Sequence, residues 1–188
     1  FLFEGRVVLL VDDDQPQVVN GREDRRAGTD DDAGLAAGNP LSLVASLGLA
    51  ETTVTKQPRV RILVTGNEVN VPGTPKGTYD VYDANSYMLR GLVARDGGVL
   101  EAQYRLPDHS DQIRSALVAP GADVILVSGG SSVGREDFAP QLIAETGELA
   151  IHGVAMRPSS PAGIGRVGDA LVFLLPGNPV SCLCAYDF

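Results

Sequence analysis

The 188-residue sequence has no tryptophan, only two cysteines and two histidines, and aromatic residues make up 5% of it. Cys182 and Cys184 would point to different sides of a helix, so we expect free structural thiols rather than a disulfide. His109 and His152 have no Cys or His neighbour at ligand spacing, which favours a structural role for both over zinc binding. Basic residues are also few, 15 against 24 acidic ones, and the net charge of −9 disfavours binding to nucleic acid or to an anionic membrane.

Long hydrophobic runs are absent as well. No apolar stretch reaches the length of a membrane-spanning helix, and we expect no signal peptide. We therefore expect a soluble, cytoplasmic protein. The chain opens on Phe1 without Met and stops inside an apolar helical pattern, so we also expect it to be part of a longer protein.

Glycine and proline are plentiful, with 22 and 12 copies, and from residue 59 onward short apolar runs alternate with helical patterns. The predicted strands are 60–64, 99–104, 124–127, 149–156 and 171–175, and the predicted helices are 83–95, one that begins at Asp108 or Ser110, and 138–145. This alternation predicts the α/β class, with a mostly parallel sheet covered on both faces by helices.

Residues 1–57 are less regular, and we interpret them as part of a preceding domain, with the α/β domain at 58–188. A strand is predicted at 6–11, acidic turns at 12–14 and 30–32, and a helix at 40–47 that Gly48 would close.

Two loops between predicted elements suggest binding, because ligands of open α/β sheets lie beyond the carboxyl ends of the strands. The loop SGGSSVGRED at 128–137 can turn several backbone N–H groups inward, and the hydroxyls of Ser131 and Ser132 add further donors for an anion. The alternative is a tight turn without a ligand. The loop LPGNP at 175–179 is made rigid by its two prolines, and Pro179 stands where a helix would begin.

Four acidic residues, Glu68, Asp83, Asp108 and Asp137, stand at predicted strand or helix ends. Each by itself could be a cap or a solvated turn, and Asp83 has the signature of a helix N-cap. Together, beside an anion-binding loop, they would repel a phosphate unless Mg²⁺ lay between them. Arg135 and Arg157 are the candidate cations of such a site.

The ordered segments TGNEV, DAN, LPDHSDQIRSAL, VSGGSSVGREDF, VAMRP and LPGNPVS resemble the central domain of the molybdopterin molybdotransferases, a family that includes the C-terminal region of gephyrin. The likeness runs from about residue 59 to residue 188, and residues 22–28 and 43–48 resemble the family's preceding segment. It implies a three-layer α/β/α sandwich around a mixed sheet. It also implies insertion of molybdate into adenylated molybdopterin with release of AMP, Mg²⁺ or Zn²⁺ as the metal, and a homodimer in the full-length form. Full-length members continue into a C-terminal β-rich domain, which the resemblance places after residue 188 and which we expect to be absent from this segment.

The resemblance assigns functional acids to Glu68, Asp108 and Asp137, with Asp108 and Asp137 beside the metal and the adenylate. Together with the two loops, the predicted substrate-binding set is Ser128, Gly129, Gly130, Ser131, Ser132, Gly134, Asp83, Arg157, Pro176, Gly177, Asn178 and Pro179.

The chain departs from the family pattern at two described motifs. The family usually has Gly-Asp-Glu where this chain has Gly66-Asn67-Glu68, and Lys-Pro-Gly-Lys-Pro where it has RPSSP at 157–161, so one acid and one lysine are lost. Arg157 keeps the charge of the other lysine with a forked geometry. The family's Met-Asp-Gly segment supplies a further functional acid and has no match here. We therefore expect that this chain can keep the pocket and still be inactive by itself.

Three alternatives remain. A molybdopterin adenylyltransferase has the same fold, but that family prefers a Thr-Gly-Gly-Thr-Gly loop. The second alternative is a peptide-binding or scaffold module, as in the related region of gephyrin, but it would give no role to the acidic residues at the strand and helix ends. An oligomerisation domain is the third.

Overall fold

The computed structural model describes residues 4–8, 10–12, 15–17, 46–49, 51–130 and 138–188. The chain divides into two compact units, Phe1–Lys56 and Gln57–Phe188. No helix in the described part of the chain has the length and hydrophobicity needed to cross a bilayer.

The first unit contains two antiparallel strand pairs. β1 (Glu4–Val8) pairs with β4 (Glu51–Thr55), and β2 (Leu10–Asp12) pairs with β3 (Gln15–Gln17). The strand predicted at 6–11 falls on β1 and β2, whereas β3 and β4 were not predicted. The acidic turn at 30–32 and most of the helix predicted at 40–47 lie outside the described residues.

The second unit is built on a six-stranded sheet of order β10-β11-β12-β9-β5-β8. Its strands are β5 (Arg59–Thr65), β8 (Val99–Leu106), β9 (Val124–Ser128), β10 (Glu148–His152), β11 (Gly163–Val167) and β12 (Ala170–Leu175). β12, β9, β5 and β8 are parallel, while β11 pairs antiparallel with both β10 and β12. The mixed, mostly parallel sheet is confirmed. A separate parallel pair is formed by β6 (Val69–Asn70) and β7 (Val81–Tyr82).

Four helices cover the sheet: α1 (Asn85–Arg95), α2 (Ser110–Val118), α3 (Phe138–Thr146) and α4 (Pro179–Asp187). Successive strand residues face opposite sides of a sheet, and β5 shows this clearly. Its Leu63 joins the core beneath α2 and α3, whereas Ile62 and Val64 join the core beneath α1 and α4. Apolar side chains of both cores are almost fully buried, so the three-layer α/β/α prediction is confirmed.

β11 is the strand of the sheet that the sequence pattern missed. Its segment GIGRV contains two glycines, which normally weaken a strand. Here a Cβ on Gly165 would lie 2.6 Å from the Glu148 carbonyl oxygen and 2.6 Å from Ile143 Cγ2. The glycine therefore allows close packing against β10 and α3, and it does not interrupt the strand. The strand predicted at 149–156 ends earlier, at His152.

Charged side chains link neighbouring elements at the amino-terminal ends of the parallel strands. Arg61 is 1% exposed, and its Nε donates to Glu101 Oε2 at 2.9 Å. Its remaining guanidinium nitrogens donate to the carbonyl oxygens of Ala116, Ala119 and Pro120 at 2.7–2.9 Å. Arg59 Nε lies 3.1 Å from Asp123 Oδ2 just before β9. These contacts connect the starts of β5, β8 and β9 with the end of α2.

Candidate functional site

The loops at the carboxyl ends of the parallel strands β5, β8, β9 and β12 surround a cavity of about 630 Å³, which we call the loop cavity. Predicted site residues from all four loops line it. They are Glu68, Asp83, Asp108, Ser128, Gly129, Gly130, Pro176, Gly177, Asn178 and Pro179. The parallel order of the strands explains this gathering, because it directs their carboxyl ends to one edge.

The other predicted site residues are not placed in the cavity. Ser131, Ser132, Gly134 and Asp137, together with Arg135, lie outside the described residues. Arg157 is exposed and is not among the residues that line the cavity. Within the described lining, the charged side chains are therefore all carboxylates, those of Glu68, Asp83 and Asp108.

The wall between the β9 and β12 loops is made of backbone. Gly129 has φ +92°, and a Cβ there would lie 2.4 Å from the Thr65 carbonyl oxygen. A Cβ on Gly177 would lie 3.6 Å from Gly129 Cα, so the two loops approach each other closely. The Gly129 N–H donates to the Leu175 carbonyl oxygen at 3.2 Å, which links the ends of the two strands. Glycine is required at position 129 for both conformation and space.

The LPGNP loop leads directly into α4. Asn178 is the N-cap, and its Oδ1 accepts hydrogen bonds from the N–H groups of Val180 at 3.1 Å and Ser181 at 3.2 Å. Pro179 is the first residue of the helix, as predicted, where its missing N–H is no disadvantage. The loop is thus fixed at both ends, by β12 and by the helix start.

Asp83 fixes the start of α1. Its Oδ1 accepts from the Ser86 N–H at 2.9 Å and its Oδ2 accepts from the Ser86 hydroxyl at 2.6 Å. Asp83 thus accepts a first-turn N–H as predicted, but the N-cap position itself is Ala84, one residue later than the sequence predicted. Asp83 is buried, with 7% of the residue exposed, yet it still lines the cavity.

Asn85 is a site residue that the sequence reasoning missed. Its Nδ2 donates to Ser128 Oγ and to the Gly177 carbonyl oxygen, both at 2.8 Å. One amide therefore joins the start of α1 to the ends of β9 and β12. The available signal was its place in the first turn after the Asp83 cap, where a helix opens toward this edge of the sheet.

Asn67 and Asp108 are joined by reciprocal hydrogen bonds. The Asn67 N–H donates to Asp108 Oδ2 at 3.0 Å, and the Asp108 N–H donates to Asn67 Oδ1 at 3.1 Å. The pair holds the β5 and β8 loops together and leaves Asp108 Oδ1 outside it. An aspartate at position 67 would offer the same acceptor, so the asparagine preserves this geometry while removing one negative charge.

Cys182 lies beneath the cavity. Its Sγ is 3.8 Å from Ser128 Oγ, and burial raises the pKa of the thiol to about 11. A neutral, buried thiol is a poor nucleophile, which agrees with the predicted structural role. Cys184 is also free, so the expectation of no disulfide is confirmed.

A metal site is not complete within the described residues, where no group of three or more His, Cys, Asp or Glu side chains is placed to hold an ion. Asp108 is described, but its predicted partner Asp137 is not. The metal site therefore stays a prediction.

Residues 61–188 match the family model described as a probable molybdopterin binding domain. The chain is 35% identical over 187 residues to "Molybdopterin molybdenumtransferase 2" of Mycobacterium tuberculosis, with 91% of this chain and 46% of the relative covered. It is 33% identical over 148 residues to "Molybdopterin molybdenumtransferase" of Haemophilus influenzae, with 78% and 37% covered. The chain thus spans less than half the length of these curated relatives.

Solved structures agree with the sequence comparison. A molybdopterin biosynthesis MoeA protein from Pyrococcus horikoshii superposes with a TM-score of 0.65 at 30% identity, covering 78% of this chain and 37% of that one. MoaB from Thermus thermophilus, with a TM-score of 0.57 at 22% identity, covers 70% of this chain and 88% of its own and shares the fold alone.

Proposed function

The chain belongs to the family of probable molybdopterin binding domains, and on that basis we propose that it is the central domain of a molybdopterin molybdotransferase. The reaction is the insertion of molybdate into adenylated molybdopterin, with release of AMP, in molybdenum cofactor biosynthesis. The observation that carries the proposal is the loop cavity, where four strand-end loops bring Glu68, Asp108, the glycine turn and the proline loop together.

The size and walls of the cavity suit a small organic anion. A volume of about 630 Å³ lies within the usual range of small-molecule sites. Its back wall is backbone from Gly129 and Gly177, which lets a ligand approach the main chain closely. The loops are held by the Asn178 cap, the Asn85 amide and the Asn67–Asp108 pair, so the walls are largely preformed.

Charge is the reason to include a divalent cation in the proposal. The charged side chains of the described lining are all negative, and they would repel a phosphate-bearing substrate. The carboxylate oxygens fit Mg²⁺, which prefers oxygen ligands and commonly bridges protein acids and phosphates. Mg²⁺ would be held by the carboxylates of Asp108 and Asp137, with Zn²⁺ as the alternative metal. Asp108 Oδ1 takes no part in the hydrogen bonds with Asn67. When bound, the ion supplies positive charge to the phosphate oxygens.

Asp108 and the glycine turn orient the substrate in this scheme. The reciprocal bonds with Asn67 fix the Asp108 carboxylate, and the turn at Gly129 and Gly130 presents main chain to the anion. The proposal extends to Ser131, Ser132 and Arg157 as further oxyanion ligands, to a homodimeric full-length form and to a cytoplasmic location.

The test is isothermal titration calorimetry of the chain with AMP, with and without Mg²⁺, and then with molybdate. We expect AMP to bind with Mg²⁺ and at least about tenfold more weakly without it, since each removed charge contact is worth about 1.5–3 kcal/mol. Asp108→Asn keeps an acceptor for the Asn67 N–H but loses the charge, so its AMP affinity should hardly respond to Mg²⁺.

The matched control is Asp111→Asn, an exposed first-turn acid of α2 that does not line the cavity. It should behave as the unaltered chain does. Mg²⁺-independent AMP binding, or the same Mg²⁺ response in Asp108→Asn, would contradict the assignment.

A further inference from the structure

A fifth loop reaches the edge of the sheet that carries the loop cavity. It spans residues 153–162 between β10 and β11, and we call it the β10–β11 loop. β11 runs antiparallel to β12, and its first residue, Gly163, pairs with Leu174 near the end of β12. The β10–β11 loop therefore lies beside the strand-end loops, and its Pro161 lines the loop cavity.

Backbone hydrogen bonds close the β10–β11 loop on itself. The Gly153 N–H donates to the Ala162 carbonyl oxygen at 2.9 Å, and the Val154 N–H donates to the Ser160 carbonyl oxygen at 2.9 Å. The Ala162 N–H donates to the Ser159 carbonyl oxygen at 3.0 Å. These three bonds join residues within the loop, so they shape it without attaching it to the helix beside the cavity.

Ser159 attaches the β10–β11 loop to α4. Its hydroxyl donates to the Ser181 carbonyl oxygen at 2.7 Å. Ser159 is 0% exposed, although Pro158 and Ser160 on either side of it are exposed. Ser181 lies in the first turn of α4, the helix that begins at Pro179 in the wall of the loop cavity. A buried hydroxyl is costly without a partner, so this hydrogen bond favours the position in which the loop lies against α4.

The hydroxyl at position 159 is a departure of this chain from the family pattern. That pattern has Lys-Pro-Gly-Lys-Pro where this chain has RPSSP, so a glycine stands in the place of Ser159. A glycine has no side chain to donate to Ser181. The hydrogen bond therefore belongs to the sequence of this chain and not to the family pattern.

We propose that Ser159 is a positioning residue, whose hydrogen bond to Ser181 holds the β10–β11 loop against the start of α4 and so keeps Pro161 in the wall of the loop cavity. The inference rests on the function proposed above and deepens it by adding a residue that acts on the binding site from outside it. Ser159 is completely buried, so its effect on a ligand must pass through the loop that it holds. When the loop detaches, fewer molecules have a complete cavity wall, and the apparent affinity falls in proportion to that fraction.

The informative variant is Ser159→Ala, titrated calorimetrically with AMP plus Mg²⁺ at a temperature at which the chain is fully folded. Loss of one uncharged hydrogen bond should weaken AMP binding by about two- to tenfold. Hydrogen exchange followed by mass spectrometry should show that the amides of the β10–β11 loop exchange faster by about the same factor. Ser160→Ala is the matched control, because it removes an exposed hydroxyl from the same loop and should change neither measurement. Ser159→Thr keeps the hydroxyl and should restore most of the affinity.

A double-mutant cycle with Pro161→Ala separates positioning from a general effect on stability. If Ser159 acts through the cavity wall at Pro161, its replacement should change the AMP affinity by less than about twofold once Pro161 is already alanine. An equal loss of affinity in both backgrounds overturns the inference. A Ser159→Ala chain that exchanges faster but binds AMP as tightly as the unaltered chain also overturns it, because the serine would then be structural only.

The outcomes separate this inference from the proposed function. If Ser159→Ala keeps its AMP affinity, the inference is overturned and the proposed function stands. If the unaltered chain does not bind AMP with Mg²⁺, both fail together. Should Ser159→Ala not fold, Ser159→Cys makes the same comparison, since its thiol is a weaker donor of similar size and should lose affinity in the same direction.

Discussion

The contact between Gly129 and β5 predicts a large effect for the addition of a single methyl group. Gly129→Ala would place a Cβ 2.4 Å from the Thr65 carbonyl oxygen, a distance that real Cβ atoms do not show. The obstacle is backbone and not a flexible side chain, so the β9 loop or the end of β5 must move. The same residue has φ +92°, which an alanine adopts only with strain.

The magnitude is the sum of two effects. The left-handed conformation costs about 1–2 kcal/mol for an L-residue. The clash with packed backbone adds about 1–3 kcal/mol, the usual range for overpacking. Gly129→Ala should therefore reduce the free energy of unfolding by about 2–5 kcal/mol. Gly97 is a matched control, with φ +86° and nothing within 4 Å of its would-be Cβ. Gly97→Ala should lose only the first contribution, about 1–2 kcal/mol.

Urea denaturation, followed by circular dichroism, measures the free energy of unfolding of both variants. AMP titration then measures the AMP affinity of Gly129→Ala. The difference between the two variants isolates the close approach of the β9 loop to β5. If Gly129→Ala is no less stable than Gly97→Ala, the backbone wall described here is wrong.

Two smaller predictions concern α4. Asn178→Ala removes the acceptor for the N–H groups of Val180 and Ser181 and should lower the unfolding free energy by about 1 kcal/mol in urea denaturation, whereas an unchanged midpoint would contradict the cap. Burial raises the pKa of the Cys182 thiol to about 11 from the usual 9.0, so the unfolded thiol ionises first as pH rises through that window and the folded state loses stability. Denaturation midpoints measured from pH about 9 to about 11 should fall less steeply in Cys182→Ala, and parallel curves would refute the shift.

The helix starts and the strand ends could be predicted because single residues mark them. Pro179 begins α4, the Asp83 carboxylate accepts the Ser86 N–H in the first turn of α1, and the apolar runs predict the central strands. β11 could not be predicted, because Gly163 and Gly165 normally interrupt a strand. Only the structure shows that β10 and α3 pack too closely against these positions for a side chain. Hydrophobic periodicity describes a single segment of the chain, whereas close packing depends on the segments that contact it in the fold.

The site was predictable where it follows strand ends and not where it depends on contacts between distant segments. The strand-end loops were found because parallel strands share one edge. Asn85 was missed because its partners Ser128 and Gly177 are 43 and 92 residues away in the chain. Arg157 lies in an irregular segment, and no periodicity indicates where such a side chain will point.

The two ends of the parallel strands differ in their hydrogen bonding. Around Arg61, every guanidinium nitrogen is matched by an oxygen from elsewhere in the fold, and this end serves as an anchorage. At the opposite end, the loops after the parallel strands leave a cavity of about 630 Å³. The charged contacts around Arg61 and the proposed binding cavity therefore lie at opposite ends of the sheet. Side chains that line the cavity can therefore change without disturbing the hydrogen bonds around Arg61 at the other end of the sheet.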